Sequence, residues 1–286
     1  MSVYVDENTR VIIQGITGKQ GSFHAKLMLE YGTKVLAGVT PGKGGGVIEG
    51  VPVYNSVEAA LEHHEADTSV IFVPAPYAKD AAFAAIDHLE KVVIITEGIP
   101  VHDAMEIKAF AEEHDTQLFG PNTAGVISPG KCKVGIMPGI FFKDGNIGLV
   151  SRSGTLSYEI ALALTESGLG QSSLVGIGGD PVIGTSFLEV LKVFERDRET
   201  DAVVLIGEIG GEEEERAAEF VKDMRKPVVG YIAGITAPEG KRMGHAGAII
   251  SRGKGTAESK INALERAGAE VAKFPHEIPK LVSEVL

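Results

Sequence analysis

Short β-branched runs alternate with longer Ala-, Glu- and Lys-rich segments from one end of the chain to the other, and this rhythm leaves few folds open. In the first half the candidate strands are residues 10–14, 34–38, 69–73, 92–96 and 117–119, with helical stretches near 21–31, 56–65, 78–91 and 103–114. The second half repeats the pattern with strands near 147–151, 174–177, 202–206, 228–232 and 270–273. Apolar strands separated by amphipathic segments imply parallel sheets covered on both faces, an α/β architecture. The stretch 127–148 is rich in Gly and Pro and carries no helical pattern. A boundary near Asp144 therefore divides the chain into residues 1–144 and 145–286, each expected to hold about five strands of a doubly wound domain.

Composition narrows the class of partner. With 286 residues, 44% of them hydrophobic, both domains can bury a core. A formal net charge of −12 argues against nucleic acid and anionic membrane surfaces as partners. The lone Cys132 excludes an internal disulfide and a cysteine zinc cluster, and suits a reducing cytosol. No apolar run approaches the ~20 residues that span a bilayer, and residues 1–10 lack the basic start and apolar core of a signal peptide. A cytoplasmic location is expected.

Ligands of doubly wound sheets bind beyond the carboxyl ends of the strands. The first strand runs into Gly15-Ile-Thr-Gly18-Lys-Gln-Gly21 and a helix, an arrangement that lets a phosphate approach backbone N–H groups. Its G-x-x-G-x-x-G spacing is not the dinucleotide fingerprint, and a purely structural tight turn is the competing reading. The second strand ends in Thr40-Pro-Gly-Lys43-Gly-Gly-Gly46, without the acidic residue that would bind a dinucleotide ribose about 20 positions on. Lysine among glycines suits a phosphate instead. After the fourth strand comes Thr96-Glu97-Gly98, where Glu97 either accepts a hydrogen bond from a ligand or caps the following helix.

In the second half, Ser151-Arg-Ser153-Gly154-Thr155 opens a helix. Ser153 and Thr155 either cap orphan N–H groups or leave them free for an oxyanion. Six of the eight histidines lie in or beside polar helical stretches, His24 falls early in the first helix, and none of these seven needs a function. His245 differs, because Gly244 and Gly247 flank it and Lys241, Arg242 and Arg252 stand nearby, which favours presentation of the imidazole to a negative ligand. Glu208, at another strand end, is a candidate to orient that ring by fixing its tautomer; a helix-proximal charge is the alternative. The sequence holds no Walker loop, kinase signature or compact metal cluster, so if His245 is phosphorylated the nucleotide and its Mg²⁺ would sit on a different polypeptide.

Taken together these blocks, with Gly176-Ile-Gly-Gly-Asp-Pro181, Gly207-Glu-Ile-Gly-Gly211 and Gly244-His-Ala-Gly-Ala248, closely resemble the alpha subunits of succinate–CoA ligases over essentially the whole chain. The resemblance implies a Rossmann-like CoA-binding domain followed by a flavodoxin-like domain. It implies the reversible conversion of succinate, coenzyme A and ATP or GTP to succinyl-CoA, the nucleoside diphosphate and phosphate. An ATP-grasp beta subunit would hold the nucleotide and Mg²⁺, in an alpha–beta heterodimer or heterotetramer. Carried over, Thr17, Gly18, Lys19, Gln20, Lys43, Thr96, Glu97 and Gly98 line the coenzyme A site. Tyr158 helps complete the carboxylate-substrate site, His245 is the phosphorylated nucleophile, Glu208 holds it, and Ser153, Gly154 and Thr155 seat its phosphate. One stretch departs from the commonest pattern, Gly120-Pro-Asn-Thr123-Ala124-Gly125 standing where many members read Gly-Pro-Asn-Cys-Pro-Gly. That bears on local contacts and acid selectivity. A malate–CoA or other acid–CoA ligase is the nearest alternative, and a non-catalytic CoA- or NAD-binding regulator a remote one.

Overall fold

The structure is a computed structural model that describes residues 3–251 and 253–286. Its first sheet comprises β1 (Arg10–Gln14), β2 (Lys34–Val39), β3 (Val47–Ile48), β4 (Val51–Tyr54), β5 (Thr68–Ile71), β6 (Lys91–Ile94) and β7 (Gln117–Phe119). Between them run α1 (Lys19–Tyr31), α2 (Val57–Leu61), α3 (Ala75–Ile86) and α4 (Val101–Glu113). The strand order is β3-β4-β2-β1-β5-β6-β7, parallel throughout except for the β3–β4 pair. Because β1 lies between β2 and β5, the chain winds away from β1 in both directions. The resulting crevice opens where β1 hands over to α1. Ile12 and Ile13 point to opposite faces of β1 and both are fully buried, as a sheet covered on both sides requires.

The second sheet comprises β8 (Gly125–Ser128), β9 (Cys132–Gly135), β10 (Asp144–Ser151), β11 (Gln171–Gly176), β12 (Ala202–Glu208), β13 (Val228–Ala233) and β14 (Glu270–Ala272). It is wrapped by α5 (Gly154–Glu166), α6 (Phe187–Arg196), α7 (Glu213–Val221), α8 (Ala257–Arg266) and α9 (Ile278–Val285). The order β14-β13-β12-β10-β11-β8-β9 contains the flavodoxin-like series of five parallel strands, extended by an antiparallel hairpin on β11. Helix α6 illustrates the packing: Ser186 and Glu189 form a capping box, and Phe187, Val190, Leu191 and Phe194 fall on one buried face.

Each sheet thus has seven strands among the described residues, not five, and both are mixed. The changeover between sheets also falls earlier than Asp144, between Phe119 and Gly125, because β8 and β9 belong to the second sheet. Their glycines read as linker in the sequence, but they serve close approach. A Cβ at Gly125 would run into the Val134 carbonyl, and one at Gly135 into that of Ala124. The connecting residues 120–124 pack against the loop after β11: Gly184 N donates to Gly120 O (2.8 Å), Gly179 N to Asn122 O (3.1 Å) and Thr123 Oγ1 to Gly176 O (2.6 Å). These bonds bring the carboxyl ends of the two sheets together.

Candidate functional site

Two of the cavities at those strand ends are lined by the first glycine-rich loop and by His245. The larger, about 780 Å³, lies in the crevice beyond β1 and is lined by Thr17, Gly18, Lys19, Gln20 and Gly21 with Thr40, Asn55 and the β5 end at Phe72–Pro74. Gly15 takes φ +81, a conformation that favours glycine. Gly21 lets α1 start against that turn, since a Cβ there would strike the Gly15 carbonyl. Helix α1 has no side-chain cap, so its first N–H groups are available to an anion. The second loop is fastened to the first by the Thr17–Thr40 hydroxyl pair (3.2 Å) and shaped by Asn55 Oδ1, which accepts from Gly44 N (2.9 Å).

The smaller cavity, about 320 Å³, is lined by Glu97, Asn122, Thr123, Ala124, Gly154, Thr155, Tyr158 and His245. One wall is the start of α5. Ser153 Oγ accepts from Leu156 N (3.3 Å), and Ser153 N is taken by Ser151 Oγ. The Gly154 and Thr155 N–H groups fall in the first turn, where no intrahelical acceptor exists. The positive end of the helix dipole therefore faces the space His245 borders.

His245 Nδ1 lies 2.8 and 3.0 Å from the two carboxylate oxygens of Glu208, the last residue of β12. A carboxylate only accepts, so Nδ1 carries the proton and the neutral ring has its lone pair on Nε2. The hydrogen bond that His245 donates to Glu208 raises the His245 pKa above its ordinary 6.5, opposed by burial and by the nearby Arg152. Arg152 is buried, with Nε 3.5 Å from Glu208 Oε1 and an Nη bonded to Asp180 O (3.1 Å). Asp180, whose carboxyl burial pushes up, accepts from Asn122 Nδ2 (3.0 Å). Gly179 lies against the imidazole so closely that a Cβ would enter the ring. Burial also raises the Tyr158 phenol to about 12, so it serves this cavity as a neutral hydroxyl.

Residues 6–98 match the CoA binding domain model and residues 150–270 the CoA-ligase model. The chain is 62% identical to the succinate–CoA ligase [ADP-forming] subunit alpha 2 of Archaeoglobus fulgidus, each covered in full. It is 62% identical to the corresponding alpha subunit of Methanothermobacter thermautotrophicus, over 96% of this chain and 94% of that one. The chain belongs to the succinate–CoA ligase alpha-subunit family. Among solved structures, ATP citrate lyase from Methanothrix soehngenii, in complex with citrate and coenzyme A, aligns with a TM-score of 0.90 at 26% identity. That alignment covers 99% of this chain and spans about half of the lyase chain.

In this alpha-subunit fold most residues singled out in the sequence fall on the two cavities. Thr17, Gly18, Lys19 and Gln20 line the larger one. Lys43 is exposed on the loop beside it, where Thr40 and Pro41 provide the wall. Thr96 Oγ1 donates to Val73 O (2.6 Å), tying the β5 and β6 ends together, and Gly98 follows at φ +75. Glu97 borders the His245 cavity, not the larger one. Lys241 and Arg242 are exposed before His245, Arg252 lies outside the described residues, and among the described residues Arg152 is set against the Glu208–His245 pair. Sequence reasoning assigned no role to Arg152, Asp180 or Asn122; their signal was position, each standing just after a strand. His24 is also more engaged than its helix placement implied. It stacks on Phe72 (5.6 Å between centroids), and burial lowers its pKa to about 4. His102, Asp103 and Glu106 come close together on α4, but Lys79 pairs with both acids, which accounts for the cluster.

Proposed function

We propose that the chain is the alpha subunit of an ADP-forming succinate–CoA ligase in which His245 carries a phosphoryl group between the nucleotide and the acyl-forming step. The observation that carries this reading is the His245–Glu208 pair: Nδ1 is committed to a carboxylate, and the imidazole borders a cavity walled by a helix N-terminus. Such a ring is a better nucleophile at Nε2. The relatives' names support succinate over malate, and the chemistry on both cavities gives no support to a non-catalytic regulator.

In the forward direction Nε2 takes the terminal phosphoryl of ATP, ADP leaving as the P–O bond breaks. A succinate carboxylate oxygen then attacks phosphorus; the P–N bond breaks, its electrons return to Nε2, and succinyl phosphate forms. The coenzyme A sulfur, as thiolate, attacks the acyl carbon, and phosphate departs with the C–O bonding pair. Gly154 and Thr155 N–H groups, aided by the α5 dipole at roughly 0.3–2 kcal/mol, hold the phosphoryl oxygens without trapping them. Tyr158 and Asn122 offer neutral polar contacts to the acid. Coenzyme A occupies the larger cavity, its phosphates against Thr17–Gln20 and Lys43, and its pantetheine arm passes Thr96–Gly98 toward His245.

This reading assigns coenzyme A to the first domain, bounded at Asp144 from the sequence and at residues 120–124 by sheet pairing. The phosphohistidine belongs to the second. It also calls for an ATP-grasp beta subunit with the nucleotide and Mg²⁺, assembled as an alpha–beta heterodimer or heterotetramer in the cytoplasm. Among the described residues no helix is long and apolar enough to cross a membrane. Incubating the two-subunit complex with radiolabelled ATP tests the proposal. An acid-labile, base-stable label is expected on this chain and is expected to vanish in His245→Asn; label persisting in that variant overturns the assignment.

A further inference from the structure

Behind the site lies a buried ion pair that the reaction does not use. Glu214, in the first turn of α7, and Lys260, on α8, are both fully buried and pair directly. Lys260 Nζ is also 3.4 Å from Glu215 Oε2, whose other oxygen accepts from Ser259 Oγ (3.0 Å). Desolvating two charges is costly, and a buried pair of this kind is weak as a source of stability. Its geometry points elsewhere.

Glu214 Oε1 accepts the backbone N–H of Glu208 at 3.1 Å. The reason that N–H is open lies in the sheet. In a parallel ladder the same-side groups of one strand fall on every second residue. Ile206 O accepts from Arg152 N, so Ile206 faces β10, and Glu208, two residues on, faces the same way. At that point β10 has ended at Ser151 and the chain has turned into α5. Glu208 N–H would point where the next strand residue is missing, and the Glu214 carboxylate stands there instead. Gly207 makes the space: a Cβ on it would come within 2.7 Å of Glu214 Cγ and Oε1.

We propose that Glu214, with its charge balanced by Lys260, is the positioning residue that replaces the missing strand partner at the end of β12 and so fixes where Glu208 presents its carboxylate to His245. The pair touches neither substrate nor the reacting atoms. It acts through the backbone of Glu208, and the inference rests on the assignment of His245 as phosphoryl carrier only for its catalytic consequence.

The test separates acceptor from charge. In Glu214→Gln/Lys260→Met the amide oxygen still accepts from Glu208 N while both charges are gone; in Glu214→Leu/Lys260→Met charges and acceptor go together. Two readouts are taken on full-length protein after thermal unfolding confirms a folded state. The first is the titration of the His245 imidazole by nitrogen-15 NMR, where Glu208, Arg152 and Asp180 act on the ring and Glu97 and Tyr158 border the same cavity. The second is the rate of phosphoryl labelling in the two-subunit complex. The Leu/Met variant is expected to bring the midpoint down toward 6.5 and to slow labelling on the order of 10- to 100-fold, as a small misplacement of a reacting group does. The Gln/Met variant is expected to keep both close to wild type. A folded Leu/Met variant that titrates and labels like wild type overturns the proposal, as does a Gln/Met variant that fails equally. If Leu/Met does not fold, Gly207→Ala displaces the same acceptor without removing charge, and an unchanged His245 titration in it is equally fatal. Absence of label on wild-type His245 would instead sink the ligase reading, leaving the titration to judge the positioning role.

Discussion

At the scale of single residues, the site turns on which groups share the Glu208 carboxylate. His245 Nδ1 holds both oxygens and Arg152 Nε approaches one of them. The folded His245 pKa is raised, so the pair's contribution to stability is fully present below the unfolded value near 6.5 and is lost as pH rises through the higher folded value. Replacing Glu208 with Gln removes the charge that raises it. Denaturant unfolding across pH 5 to 9 should then show a smaller loss of stability above neutrality than wild type; identical profiles would contradict the pairing. The two partners of this bond were legible in the sequence because Glu208 stands at a strand end and His245 in the loop beyond another, both among glycines. Arg152, Asp180 and Asn122 were not, because their roles arise only when three strand ends far apart in the chain meet. Glu214 was less visible still: in the sequence it is one member of the acidic run 212–215, and only the end of β10 gives it a task.

At the scale of elements, strand and helix cores followed from hydrophobic patterning, whereas short or glycine-rich elements did not. The two-residue β3 carries too little pattern to read, and the β8–β9 hairpin was masked by the glycines its close crossing needs. Helix α5 was foreseen from about Leu156, just inside its actual start at Gly154, and capping, one of the two readings of the motif, is seen there. Ser153 caps the helix through Leu156 N, while Gly154 and Thr155 border the cavity. Loss of the cap in Ser153→Ala should cost about 1 kcal/mol of stability, whereas Ser153→Gly should cost only a few tenths. Denaturation midpoints of the two variants beside wild type measure this, and a Ser153→Ala variant as stable as wild type would show that the hydroxyl does not cap.

At the scale of the whole molecule, the two sheets are joined not only through residues 120–124 but also where α1 packs on β9. Thr33 Oγ1, just past α1, accepts from Lys133 N (3.0 Å) and donates to Lys133 O (2.8 Å), so strand and helix end are stitched together at that residue. The Lys133 side chain is carried into the contact: the residue is 2% exposed, with Nζ 5.7 Å from the centre of the Tyr31 ring. Burial lowers its pKa to about 8, Glu30 opposing, while the lysine in turn helps lower that of His24. A depressed lysine pKa means that the folded state binds the proton less well than the unfolded chain. The cost is therefore complete below pH 8, fades as pH rises toward the ordinary 10.5, and is gone above it. By linkage it amounts to at most on the order of 3 kcal/mol, offset in part by the ring face, which attracts a cation. Lys133→Met keeps the aliphatic volume and removes the charge. The variant should be more stable than wild type at pH 7 by about 1–3 kcal/mol, with the advantage shrinking between pH 8 and 10.5. Urea unfolding at pH 7, 9 and 11 decides the matter. A gain at pH 7 that persists unchanged at pH 11 would mean that Met merely packs better, and no gain at pH 7 would mean that the ammonium reaches water at little cost.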